Sequence, residues 1–284
     1  MFTYLSKHPE VFMAPAKEIG YFGRDWCTVP DELRPATPEE YLAHFEGAGP
    51  VKRIGEATTS YLYSKTAARE IKAFNPDARI IIMLRHPVEA ISSLHEHYVR
   101  HGSEPALELE EAIADEPRRL RLLQEGTQMP CYRDQVRYAE QVERYLDAFG
   151  RDRVHVVIFS EFVADTATYR RTLSFLGVDP AIQPDFTREN QGNYRIRSGA
   201  LKGLAKTAWK PPKLVSRVAR VVLPNHDLRR KVADRVRLWS QRPSARPPVD
   251  TAVRRELISE LRPDIERLGT LLDRDLGFWL DGAS

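Results

Sequence analysis

Two cysteines, Cys27 and Cys131, are all that the 284 residues carry. They stand far apart and in no metal-binding or redox spacing, which argues against a disulfide framework and makes a reducing cytosol the default. No apolar run approaches the roughly 20 residues of a membrane-spanning helix. The opening MFTYLSKHPEVFM lacks the basic-then-apolar order of a secretory signal. These absences read as a soluble, cytoplasmic protein. No G-x-x-x-x-G-K-[ST] occurs anywhere, which counts against a nucleotide kinase. The histidines show no ligand spacing beyond His95 and His97, which point apart on a helix, so no metal is expected. There is neither an internal repeat nor a low-complexity tract.

What is present suits a larger α/β domain: 42% hydrophobic and 29% charged residues over this length can bury a sizeable core. The net charge is only +3, but it is unevenly spread. Arg195 to Arg246 holds fifteen Lys and Arg against Asp227 and Asp234, leaving 28 basic and 38 acidic residues elsewhere. That segment reads as a basic C-terminal subdomain within a single domain spanning 1–284. It would face a polyanionic cofactor, an acidic acceptor or an anionic membrane surface, with a solvated basic helix pair as the plain alternative. No nucleic acid is expected.

The most informative stretch is ARIIIMLRHPVEAISSLHEHYVRHG, Ala78 to Gly102. Its short unbroken run without alternation, Arg79 to Leu84, suits a parallel strand covered on both faces. Arg85 follows at the carboxyl end, where open α/β sheets bind ligands. Pro87 and Glu89 open a helix, and Val88, Ile91, His95 and Tyr98 give it one face to bury. Ser93 lies two turns in. An Arg at a strand end and a hydroxyl on the next helix make a pocket for a phosphate; on the motif alone a solvated or structural arginine remains the commoner reading.

Arg85 and Ser93, eight positions apart across a strand-to-helix turn, resemble the 3′-phosphate motif of sulfotransferases, which use 3′-phosphoadenosine 5′-phosphosulfate. The chain resembles most closely the branch of heparan-sulfate sulfotransferase domains and their bacterial relatives. The resemblance implies a P-loop-type, mostly parallel sheet with helices on both faces. It also implies transfer of a sulfonate to the hydroxyl or amine of a carbohydrate, glycolipid or small metabolite. SKHPEVFMAPAKEIGYF is similar to the family's opening, and the family's general base maps onto Glu18. By residue type alone, Glu18 reads as an exposed charge beside Lys17. RIGEATTSYL resembles a segment that would line the acceptor site with Glu56, Thr58, Thr59 and Ser60; equally, the hydroxyls there cap the helix that follows. The family's basic nucleotide-closing loop maps onto Arg197 and Ser198, with Arg195 as an alternate, and a solvated loop is the competing reading.

Further elements follow from local signals: a short strand at Val11–Met13, a helix capped by Thr37 with Pro38 at its first position, and a helix in the acidic stretch after Gly102. Next come an amphipathic helix from Tyr132 to Gly150, a strand from Arg153 to Phe162 and a helix from Thr168 ended at Gly177. A closing helix is expected to be interrupted near Pro263. Sulfotransferases of this kind begin with a strand and a Lys-bearing glycine loop for the phosphosulfate, which this chain does not show before Met1-Phe2. The expectation is therefore an N-terminally truncated fold. Two other function classes stay open: a catalytically impaired nucleotide-binding or interaction protein, and a lipid-binding protein peripheral at the membrane.

Overall fold

The computed structural model describes residues 1–26, 29–101, 103–124, 130–184, 194–196, 241–243 and 248–281. Arg197, Ser198 and most of the basic segment lie outside these residues. The chain forms two compact units. The first comprises Met1–Ile91, Arg133–Phe186 and Arg254–Ser284; the second comprises Ser92–Tyr132 and Thr187–Val253.

In chain order the elements are α1 (Phe2–Leu5), β1 (Val11–Met13), α2 (Pro38–Ala43), β2 (Arg53–Gly55), α3 (Ala67–Phe74), β3 (Ile80–Leu84) and α4 (Pro87–His101). They continue with α5 (Leu109–Ala114), α6 (Glu116–Gln124), α7 (Tyr132–Gln135), α8 (Tyr138–Phe149), β4 (Val154–Ile158), α9 (Phe159–Ala164) and α10 (Thr166–Leu176). Two short strands, β5 (Tyr194–Ile196) and β6 (Gln241–Pro243), precede α11 (Thr251–Leu272). The expected α/β class is what the chain adopts.

Both strand pairs of the first unit are parallel. β1 aligns Val11 with Arg53 and Met13 with Gly55 on β2. β3 aligns Ile80 with Val154 and Leu84 with Ile158 on β4. In the second unit β5 and β6 pair antiparallel. Val11 on β1 shares an apolar core with Leu5, Tyr169, Leu173, Leu176 and Val178, and Met13 and Ile81 pack against it. A second core gathers Ala14, Ile19, Phe22, Tyr41, Tyr61 and Ala67. In it Tyr21 stacks on Tyr41 at 4.7 Å and Phe22 meets Tyr41 edge-on at 5.2 Å, pairings worth about 0.5–1.5 kcal/mol each beyond their buried area.

Local signals account for many boundaries. Thr37 accepts the Glu40 N–H at 3.2 Å and Pro38 opens α2. The Glu40 carboxylate reaches back to the Ala36 N–H at 2.6 Å. Gly177 closes α10 in the left-handed conformation. Val88, Ile91, His95 and Tyr98 are all buried, as the spacing on α4 requires.

Three expectations are corrected. The helix expected over Tyr132–Gly150 is two helices, α7 and α8, because the Asp264 carboxylate caps the second start by accepting the Ala139 N–H at 3.3 Å. The strand expected to Phe162 stops at Ile158, and α9 begins at Phe159. α11 runs through Pro263 without interruption. The missing N–H there removes one helical bond, but Leu257, Ile258, Leu261, Ile265 and Leu268 form a buried stripe on both sides that holds the helix together.

Candidate active site

The loop after β1 is where the first unit concentrates unusual backbone. Ala14 N–H extends the ladder to the Gly55 carbonyl at 2.9 Å. Glu18 then adopts φ +61°, a left-handed conformation that non-glycine residues seldom hold. Gly20 and Gly23 follow at φ +70° and +67°. At Gly23 no other residue fits: a Cβ would stand 2.7 Å from the Ser64 Oγ and 2.9 Å from its Cβ.

This contorted loop is satisfied from two sides. The N–H groups of Glu18, Gly20 and Phe22 donate in turn to the Ala57 carbonyl (3.0 Å), the Thr58 hydroxyl (3.2 Å) and the Tyr61 hydroxyl (3.3 Å). The Gly23 N–H donates to the Glu70 carboxylate at 2.7 Å. The carbonyls of Gly20 and Phe22 are taken by the buried Arg34 guanidinium, at 2.6 and 3.2 Å. The strain of one non-glycine left-handed residue, of the order of 1–3 kcal/mol, persists where surroundings over-determine it in this way.

Glu18 displays its carboxylate from that loop. The Thr59 N–H donates to Oε2 at 2.9 Å and the Thr59 hydroxyl lies 3.1 Å from both oxygens. Lys17 Nζ stands 3.8 Å from Oε1. The Glu18 side chain is 28% exposed, so it is held on one side and open on another. Thr59 thus meets the Glu18 carboxylate. Glu56 lies deeper: Tyr41 and Tyr61 donate to its Oε1 at 3.1 and 3.0 Å, and Thr58 to its Oε2 at 2.7 Å. Burial pushes its carboxyl above the ordinary glutamate range, against the effect of the three hydroxyls. Ser60 is buried.

Arg85 leaves the carboxyl end of β3, and its guanidinium lies over the Phe159 ring. The next residue, His86, starts α4: Nδ1 accepts the Val88 N–H at 3.2 Å, and Nε2 carries the proton donated to the Trp279 carbonyl at 2.9 Å. Burial, with the Arg254 guanidinium nearby, holds His86 below the usual histidine range. Ser93 sits half-buried on α4. Sequence reasoning did not single out Arg34, Tyr41 or Tyr61 for the Glu18 loop, nor Phe159 for Arg85. Among the described residues no cluster of three or more His, Cys, Asp or Glu could hold a metal ion.

Residues 40–182, which contain Glu56, Thr59, Arg85 and Ser93, match the sulfotransferase family. This chain belongs to that family. Its sequence is 32% identical over 111 residues to the membrane-associated sulfotransferase kil1 of Dictyostelium discoideum, a match covering 37% of this chain and 22% of that protein. The chain therefore spans about a fifth of the length of this curated relative. Its fold is similar to the crystal structure of a sulfotransferase from Alicyclobacillus acidocaldarius, with a TM-score of 0.69 and 28% identity over 97% of this chain and 91% of the other.

Proposed function

We propose that this chain acts as a sulfotransferase that takes a sulfonate from 3′-phosphoadenosine 5′-phosphosulfate and gives it to an acceptor hydroxyl or amine, with Glu18 as general base. The observation that carries the reading is Glu18 itself. It is a carboxylate presented on strained backbone, oriented by Thr59 and open on one side, in a chain of the sulfotransferase family.

In the step, the acceptor oxygen or nitrogen bonds to sulfur as the sulfur–oxygen bond to the 5′-phosphate breaks. The bond's electron pair leaves with adenosine 3′,5′-bisphosphate, and the acceptor's proton passes to the Glu18 carboxylate. Little covalent chemistry falls to the protein, so orientation and charge neutralisation supply most of the acceleration. Arg85 provides the charge for the 3′-phosphate. Ser93, eight residues on, is assigned to the same phosphate, with Arg197 and Ser198 as further contacts. The acceptor class is a carbohydrate, glycolipid or small metabolite.

The test is transfer of labelled sulfonate from the donor to pooled acceptors, beside calorimetry with adenosine 3′,5′-bisphosphate. Transfer with bisphosphate binding is expected. Binding without transfer would favour an impaired nucleotide-binding protein, and neither would overturn the reading.

A peripheral membrane location is the second reading. It is supported by the membrane-associated relative and by the fifteen basic residues between Arg195 and Arg246. No helix among the described residues is long and apolar enough to cross a membrane. Flotation with anionic vesicles should fall steeply as salt rises; no flotation with anionic vesicles at low salt would remove this reading.

A further inference from the structure

The hydroxyls of Thr58 and Tyr61 each accept a backbone N–H from the Glu18 loop, from Gly20 and Phe22 respectively. A hydroxyl has a single proton to give. Thr58 stands 2.7 Å from Glu56 Oε2 and Tyr61 stands 3.0 Å from Oε1. A backbone N–H can only donate, so in these contacts each hydroxyl serves the loop as acceptor and turns its own proton toward Glu56. Tyr41 adds a third proton at Oε1, 3.1 Å away. Glu56 meets three donors, and an ionised carboxylate is the side chain that accepts them all.

We propose that Glu56 is a positioning residue for Glu18: it takes the Thr58 and Tyr61 protons, leaving both hydroxyls to hold the Gly20 and Phe22 N–H groups and thereby the turn that displays the Glu18 carboxylate. The catalytic half of this inference rests on Glu18 being the base; the half concerning the turn does not. Glu56 touches the loop through two hydroxyls rather than through a reacting group, so its removal should act on turnover and leave nucleotide binding alone. Glutamine at this position puts an N–H₂ where one oxygen stood. If that group faces Thr58, two donors meet and the Thr58 proton must turn toward the loop, away from its accepting role. The buried setting raises the cost of any such mismatch.

The experiment uses the full chain, isotopically labelled, in wild-type form and as Glu56→Gln, Thr58→Val and Thr58→Ser. Two quantities are read: hydrogen exchange at the Gly20 and Phe22 amides by NMR, and steady-state turnover with the donor nucleotide. Glu56→Gln should speed exchange about 10-fold or more at the amide whose hydroxyl meets the new N–H₂, Gly20 where it faces Thr58 and Phe22 where it faces Tyr61. It should lower kcat about 10–100-fold, the usual scale for a partner one bond removed from a working group, with KM for the donor unchanged. Thr58→Val should do the same at Gly20, and Thr58→Ser should restore both readouts. Exchange and kcat at wild-type values in Glu56→Gln would overturn the proposal. Faster exchange in a chain whose wild type transfers nothing would uphold the role in the turn and reject the sulfotransfer reading. Should Glu56→Gln fail to fold, the Thr58→Val and Thr58→Ser pair decides: equal behaviour of the two overturns the proposal.

Discussion

The Arg85 guanidinium lies 4.2 Å from the centroid of the Phe159 ring. Both residues take their places from one register. Leu84 pairs with Ile158 across the parallel β3–β4 ladder, so the residues that follow emerge side by side at the same sheet edge. At that distance the ring and the guanidinium attract each other, so Phe159 helps to hold the Arg85 side chain at the strand end.

Phe159→Leu should therefore weaken binding of adenosine 3′,5′-bisphosphate by about 0.5–2 kcal/mol, the range of a cation–π contact, while Phe159→Tyr keeps it. Arg85→Ala should cost about 2–4 kcal/mol, and more for the bisphosphate than for adenosine 5′-monophosphate, which lacks the 3′-phosphate. Calorimetry giving equal losses for the two nucleotides would take Arg85 off the 3′-phosphate.

Glu18→Gln should lower turnover by roughly 10²–10⁴ with nucleotide affinity nearly unchanged. The same position allows a measurement of strain. Glycine occupies φ +61° without penalty, whereas alanine does not. Both variants lose the carboxylate, so Glu18→Gly should be more stable than Glu18→Ala by about 1 kcal/mol in denaturant melts. Equal stabilities would mean the backbone there carries no strain.

Gly23→Ala tests the loop from its far end. A methyl group would press on Ser64 at 2.7 Å from a residue at φ +67°. The expected loss is about 1–3 kcal/mol, as for overpacking a filled site. Retained stability, followed by thermal melting, would show that Ser64 moves aside.

In the second unit, Arg119 and Glu104 form a buried pair, with Arg119 Nη2 2.9 Å from Glu104 Oε1 and the Tyr132 hydroxyl donating to Oε2 at 2.6 Å. Burial pushes the Glu104 carboxyl up, but the bonds from Arg119, Tyr132 and the Ala106 N–H outweigh it and hold the group below the usual range. A depressed carboxylate contributes stability that is fully present above its unfolded value of about 4.3 and is lost as pH falls through the lower folded value. Glu104→Gln should cost up to about 3 kcal/mol at neutral pH by removing the buried partner of Arg119, which keeps only the Asp115 carboxylate at 3.0 Å and the Pro130 carbonyl at 3.2 Å, and should flatten the acid side of the stability curve. An unchanged curve in that variant would assign the acid sensitivity elsewhere.

Hydrophobic spacing and end signals alone determined where β3 runs, which face α4 buries, how α2 begins and where α10 ends, because each depends on residues within a few positions of one another. Arg85 at a strand end was legible for the same reason. The site around Glu18 was not. Its loop is held by Thr58, Tyr61 and Thr59, which lie 38, 39 and 41 residues from Gly20, Phe22 and Glu18, and by Arg34 from another segment. The break between α7 and α8 depends likewise on Asp264, 125 residues from the amide it caps. Periodicity records which face of an element is apolar. Which hydroxyl meets which amide across the fold is decided only when parallel pairing of β1 with β2 brings the segments after Met13 and Gly55 together.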